Sequence, residues 1–162
     1  AKIPLKRLQQ DSVYADIIFS RALGNEEAAL LTFAEVSVYM AKLIFERLET
    51  IYSGWQNRVE FLDPDRDNLK VNHPYRKTLL DRIIIGQRLG KLLDKSREPM
   101  LLWEPFQRDL YNNIKQSKTL TLNAKDHYLD GNNINQNLIM TSQLEHGPVL
   151  GAGIAATHNI HD

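Results

Sequence analysis

Between Asn25 and Gly54 the sequence carries an almost unbroken helical signal, and this stretch limits what the rest of the chain can do. Asn25 stands where an N-cap belongs, Glu26 and Glu27 follow where the helix dipole favours negative charge, and Gly54 supplies a stop. At 1.5 Å per residue, the predicted helix over 25–53 is roughly 43 Å long. Its polar positions Glu35, Lys42, Glu46 and Glu49 fall on one narrow stripe at 100° per residue. Leu30, Leu31, Phe33, Val36, Val38, Met40, Leu43, Ile44, Phe45, Leu48 and Ile51 cover most of the remaining circumference. A helix this apolar needs neighbours on several sides, and where its own domain offers too few, another chain supplies them. The aromatic and Met side chains at this spacing read as core.

Three further helices fit the pattern. Asp11 reads as the cap of a helix over about 12–23, ended by Gly24. Pro74 suits the first turn of a helix over about 75–95. On that helix Gly86 and Gly90 share the apolar face with Leu79, Ile83 and Leu93. Glycine costs about 1 kcal/mol in a helix interior, so this pair predicts close backbone approach to a packed helix. A fourth helix over about 104–117 places Phe106, Leu110, Tyr111 and Ile114 inward, with Trp103 packing at its entry. Residues 55–74 read as a connector, with a short strand or turn at 58–62.

The pattern changes at Thr119. Thr119-Leu120-Thr121-Leu122 alternates like a short strand, and Asp130-Gly131 signals a turn between 128–129 and 134–140. Residues 119–162 hold four of the eight glycines and no strong periodicity. The expected fold is therefore mainly α: a small bundle of about four helices around one long central helix, with an extended C-terminal arm able to hold a short β-hairpin. Its organisation is a basic N-terminal arm at 1–10, a helical domain at 11–118 and the arm at 119–162.

The 162 residues contain no Cys, which removes disulfides, thiolate metal sites and Cys nucleophiles from consideration. No uninterrupted apolar run reaches the roughly 18 residues of a membrane span, and no signal-peptide pattern opens the chain. These features point to the cytoplasm, or to a macromolecular particle assembled there, with no membrane partner. The 20 basic and 20 acidic residues balance, but unevenly: residues 26–65 carry −5 and residues 66–97 carry +6. Complementary blocks of this kind favour association between copies.

Motifs of enzyme and cofactor chemistry fail on spacing. Gly151-Ala152-Gly153-Ile154-Ala155-Ala156 matches a dinucleotide fingerprint but lacks the helix and acidic residue that must follow it. Gly86-Gln87-Arg88-Leu89-Gly90-Lys91-Leu92 has three residues between its glycines and Leu after the Lys, against four and Ser or Thr in a phosphate loop. The Asp63, Asp65, Asp67 series has Asn68 and Pro74 where a calcium loop needs Gly and Glu. The five histidines form no recognised ligand pair. No catalytic, cofactor-binding or metal-binding residue is assigned.

What remains is a basic face, Lys77, Arg88, Lys91 and Lys95, suited to a partner protein or to phosphates. The first reading is a non-enzymatic assembly subunit that contacts copies of itself or other protein subunits through its helical body and C-terminal arm. A helical body followed by a long Asn- and Gly-containing arm is similar in layout to connector and adaptor subunits of virus and phage particles, which implies that kind of role. The alternative is a nucleic-acid-binding helical protein using the basic face. An enzyme built from scattered residues is the third.

Overall fold

The structure, a computed structural model, describes residues 13–54, 76–142 and 144, with side chains from residue 16 onward. The arm at 1–10, the Asp11 cap, the 58–62 segment, the aspartates at 63–67 and the Gly151-to-Ala156 strip lie outside the described residues. In chain order the elements are α1 (Val13–Leu23), α2 (Glu27–Ser53), β1 (Ile83–Ile85), α3 (Gln87–Lys95), α4 (Trp103–Gln116), α5 (Leu122–Tyr128), β2 (Leu129–Asp130), β3 (Asn133–Ile134) and β4 (Ile139–Thr141). The protein is mainly helical, with one long helix and a C-terminal region of short strands.

The 27 residues of α2 span about 40 Å and form the spine. Its cap is Glu26, without a side-chain hydrogen bond, rather than the expected Asn25. Asn25 instead takes the left-handed conformation (φ 59°) and closes the end of α1, its N–H donating to the Ala22 carbonyl. Asn tolerates this region better than most residues, so the turn claims it before the helix can. Gly54, at φ 86°, ends α2 as expected.

Two helices pack on opposite ends of one side of α2. From α1, Phe19 meets Phe33 edge to face with ring centroids 6.0 Å apart, and Ala22 and Ala29 are buried. From α4, Phe106, Leu110 and Ile114 are fully buried at the i, i+4, i+8 spacing that the periodicity predicts. Each such side chain contributes about 1.5–3 kcal/mol on burial. Trp103 opens α4 and packs against Phe106 at 6.2 Å.

The helix expected over 75–95 is a correction. Residues 76–82 form a turn and irregular chain, Ile83–Ile85 is a strand, and only Gln87–Lys95 is helical. Three consecutive β-branched residues favour extended backbone, and β4 offers them a parallel partner in the register Ile83↔Ile139, Ile84↔Met140, Ile85↔Thr141. Gly86 is extended and separates strand from helix, so it faces no packed helix. Gly90 is buried, and the close approach it permits is to strand backbone: an added Cβ would stand 2.4 Å from the Ile85 carbonyl oxygen and 3.2 Å from that of Ser142.

Residues 119–122 are a second correction. Thr121 caps α5 by accepting from the Ala124 N–H, and Leu122 begins a helix instead of continuing a strand. The hairpin at Asp130-Gly131 forms, with Leu129↔Ile134 and Asp130↔Asn133 paired and Gly131 at φ 58°. It stops there, because Asn135 turns the chain by accepting the Asn137 N–H, and residues 139–141 go to β1. Packing also continues across position 118: Leu120, Ala124, Tyr128, Ile134, Leu138 and Ile139 belong to the same core as α2 and α4.

An 18-residue window of α2 has mean hydropathy 1.6 with at most two charged residues, so by length and composition this helix could cross a membrane. Glu35 and Lys42 interrupt the apolar run without lowering the average below that level.

Two outcomes follow from this packing. Gly90→Ala, favourable by helix propensity, is expected to lower unfolding free energy by about 2–3 kcal/mol, because the methyl meets backbone that cannot rotate away; urea denaturation measures it. A chain ending at Ser117 is expected to lose cooperative thermal unfolding, since the apolar row of α4 loses the six core residues at 120–139.

Candidate functional site

Two surfaces qualify as sites, and they differ in how far their side chains are committed within the fold. The first is the basic face. Arg88, Lys91 and Lys95 all lie on α3 and are exposed. Lys77 does not join them on the helix. It sits in the turn before β1 at φ 63°, its N–H donating to the Tyr52 carbonyl at the end of α2 (2.8 Å). Lys95 is engaged by α1: its Nζ is 2.8 Å from Asp16 Oδ1 and 4.7 Å from the centroid of Phe19. Arg97, just beyond, donates to Asp94 and stacks over Trp103 at 3.7 Å. Asp94 also accepts from the Thr141 hydroxyl, tying α3 to β4. The face that the sequence assembles on one long helix is therefore divided, and part of its charge joins elements together.

Polar ties of the same kind fasten the interior. Ser37 is fully buried on α2, its Oγ 2.7 Å from the Ala34 carbonyl and 3.1 Å from Asp109 Oδ2 on α4. Glu49, assigned by the sequence to the polar stripe, is buried and accepts the hydroxyl proton of Ser117 at the end of α4. Ser117 Oγ in turn accepts from the Thr119 and Leu120 N–H groups. A clamp at the end of α5 holds the segment before β1. The Leu80 N–H donates to the Tyr128 hydroxyl (3.0 Å), and His127 Nε2 lies 3.2 Å from the Leu80 carbonyl, which requires the proton on that nitrogen. Burial of the fully enclosed Tyr128 phenol raises its pKa above the ordinary 10.0, with smaller upward contributions from Asp81 and Tyr52 and an opposing one from the Leu80 hydrogen bond. Among the described residues, no three His, Asp or Glu side chains gather as a metal-ligand set.

The second surface is the outer face of α2, turned away from α1 and α4. Leu31 (62% exposed), Val38 (38%), Tyr39 (63%) and Leu43 (57%) stand on it with Glu35 and Lys42. Only 28% of the most apolar window of this helix is buried inside the protein. Isolated exposed apolar residues are ordinary, so it is the clustering of these four on one helix face that makes it a candidate. The sequence carried the signal for it, an over-apolar helix, but not which side lacked a neighbour. No family model, no curated protein and no solved structure matches the chain.

Two measurements check these assignments. The Asp16–Lys95 pair is exposed, so a double-mutant cycle with Asp16→Ala and Lys95→Ala is expected to return a coupling of about 0.2–1 kcal/mol that shrinks with salt. Tyr128 holds its proton more tightly when folded, so its contribution is complete below pH 10.0 and is lost as pH rises through its folded pKa. Tyr128→Phe is expected to cost about 1–2 kcal/mol at neutral pH, by leaving the Leu80 N–H without an acceptor, and to flatten the alkaline fall in stability. Denaturant titrations from pH 7.0 to about 11 read both effects.

Proposed function

We propose that this protein is a non-enzymatic assembly subunit whose helical body docks on neighbouring subunits, either copies of itself or other proteins, through the outer face of α2. The exposed set Leu31, Val38, Tyr39 and Leu43 carries the reading. The helix beneath is held on its opposite side by α1 and α4, so the surface is presented without a folding cost at the moment of contact. Burying such side chains against a partner contributes about 1.5–3 kcal/mol each at full coverage. The acidic and basic blocks of the chain add charge complementarity between subunits. Connector and adaptor subunits of virus and phage particles, whose layout resembles this one, are the kind of assembly we propose. Of the arm assigned to 119–162, residues 120–139 supply core side chains of the body, and residues 145–162 lie outside the described residues.

The nucleic-acid alternative draws less support. Of its four cations, Lys95 is held by Asp16 and Lys77 stands off the helix that carries the others. Light scattering of the full chain across concentration tests the assembly reading. A mass above the monomer's 18.7 kDa that grows with concentration is expected. A chain that stays monomeric at about 50 µM and recovers no protein partner on cross-linking overturns it.

A further inference from the structure

We infer that the occupant of the outer face of α2 is the same face of a second copy, lying antiparallel about a two-fold axis between Val38 and Tyr39, with Glu35 of each copy paired to Lys42 of the other. This rests on the assembly reading and names its partner.

The geometry begins with spacing. Glu35 and Lys42 are seven residues apart, which places them on one line along the helix to within about 20°. Leu31 and Val38 follow nearly the same line, and Tyr39 flanks it, so the face reads Leu31, Glu35, Val38, Lys42 down its centre. Apolar and charged positions alternate at the three- and four-residue intervals of a helix–helix seam.

Charge then sets direction. In a parallel pair, Glu35 would face Glu35 and Lys42 would face Lys42. In an antiparallel pair centred between Val38 and Tyr39, Glu35 stands at the height of Lys42 of the second copy, and the match occurs twice because the interface is self-complementary. Val38 then stands at the height of Tyr39 of the second copy, on either side of the axis. Neither Glu35 nor Lys42 has an ion pair among the described residues; Lys42 rests 5.9 Å from the Tyr39 ring centroid. Both are available to a partner.

The length of the face agrees. Its exposed stretch runs from Glu27 to Arg47 and closes at Glu49, which is buried against Ser117. With the proposed axis between Val38 and Tyr39, residues 30–47 of one copy face residues 47–30 of the other, all within that stretch. Lipid is the poorer occupant, because Glu27, Glu35, Lys42, Glu46 and Arg47 are all exposed on this part of α2 and would enter the hydrocarbon with it.

Charge exchange in the full-length chain tests the pairing. Wild type, Glu35→Lys, Lys42→Glu and the double variant are compared by sedimentation equilibrium from about 1 to 200 µM. Circular dichroism melts show that each is folded, as expected for exposed positions. Wild type should form a dimer of about 37 kDa, twice the 18.7 kDa chain. Each single variant should raise the dimer dissociation constant about tenfold or more. The double variant should restore it, and so should an equimolar mixture of the two single variants, whose charges are then opposite at both contacts. Single variants that dimerise as wild type does overturn the inference, and so do a double variant and a mixture that both stay monomeric. In those cases a persistent wild-type oligomer leaves the assembly reading standing through another face. A wild-type chain monomeric throughout overturns the inference, and failure to cross-link to any protein then overturns the assembly reading with it. Monomers that bind vesicles of mixed zwitterionic and anionic phospholipid assign the face to lipid instead.

Discussion

The seam between α2 and α4 is the contact on which the rest of the structure depends. Phe106, Leu110 and Ile114 lie along one row of α4 and are sealed from water against α2. Neither helix could remain helical alone on propensity, because the stability of helices of this kind comes from burying an apolar face. Once the seam forms, its two ends are fixed by polar contacts that only a packed interior makes favourable: Ser37 with Asp109 near the middle of α2, and Glu49 with Ser117 toward its end. A buried carboxylate without a donor would be strongly unfavourable, so the Ser117 contact also fixes where α4 stops relative to α2.

The remaining elements are laid against that seam. α1 covers the first half of α2 through Phe19 and Ala22. The short parallel pair β1–β4 is too small to stand alone. It is held from both sides: Tyr128 and His127 grip the Leu80 peptide, and Gly90 lets α3 lie directly on the strand backbone. All of these neighbours collect on one side of the long helix. Its other side is left with apolar residues facing water, and that imbalance is the physical basis of the functional reading.

Much of this was legible in the residues. The bounds of α1, α2 and α4 follow from Gly24, Gly54, the apolar spacing and the acidic first turn of α2, all of which are local signals. The turn at Asp130-Gly131 is equally local. The basic face was less legible. Lys77, Arg88, Lys91 and Lys95 share a helical face only if one helix spans 75–95, and the Ile83–Ile85 run breaks it. Residues 119–122 mislead for a related reason: alternating Thr and Leu suits a strand, but a Thr followed by a short helical stretch suits a cap equally well. The gain from burying Leu120 and Ala124 against the body decides between them.

By itself the sequence determined that the protein is mainly helical, that one long helix dominates it, and that this helix is apolar over most of its circumference. Those properties depend on the period and composition of neighbouring residues, which no distant contact can change. Only the tertiary structure decided which side of α2 stays open, that Glu49 turns inward while Glu35 and Lys42 face out, and that Ile83–Ile85 pairs with a strand more than fifty residues later. These are choices among partners of similar chemistry. They are settled by which arrangement buries the most apolar surface while leaving each polar group bonded, a sum over the whole fold that no local window contains.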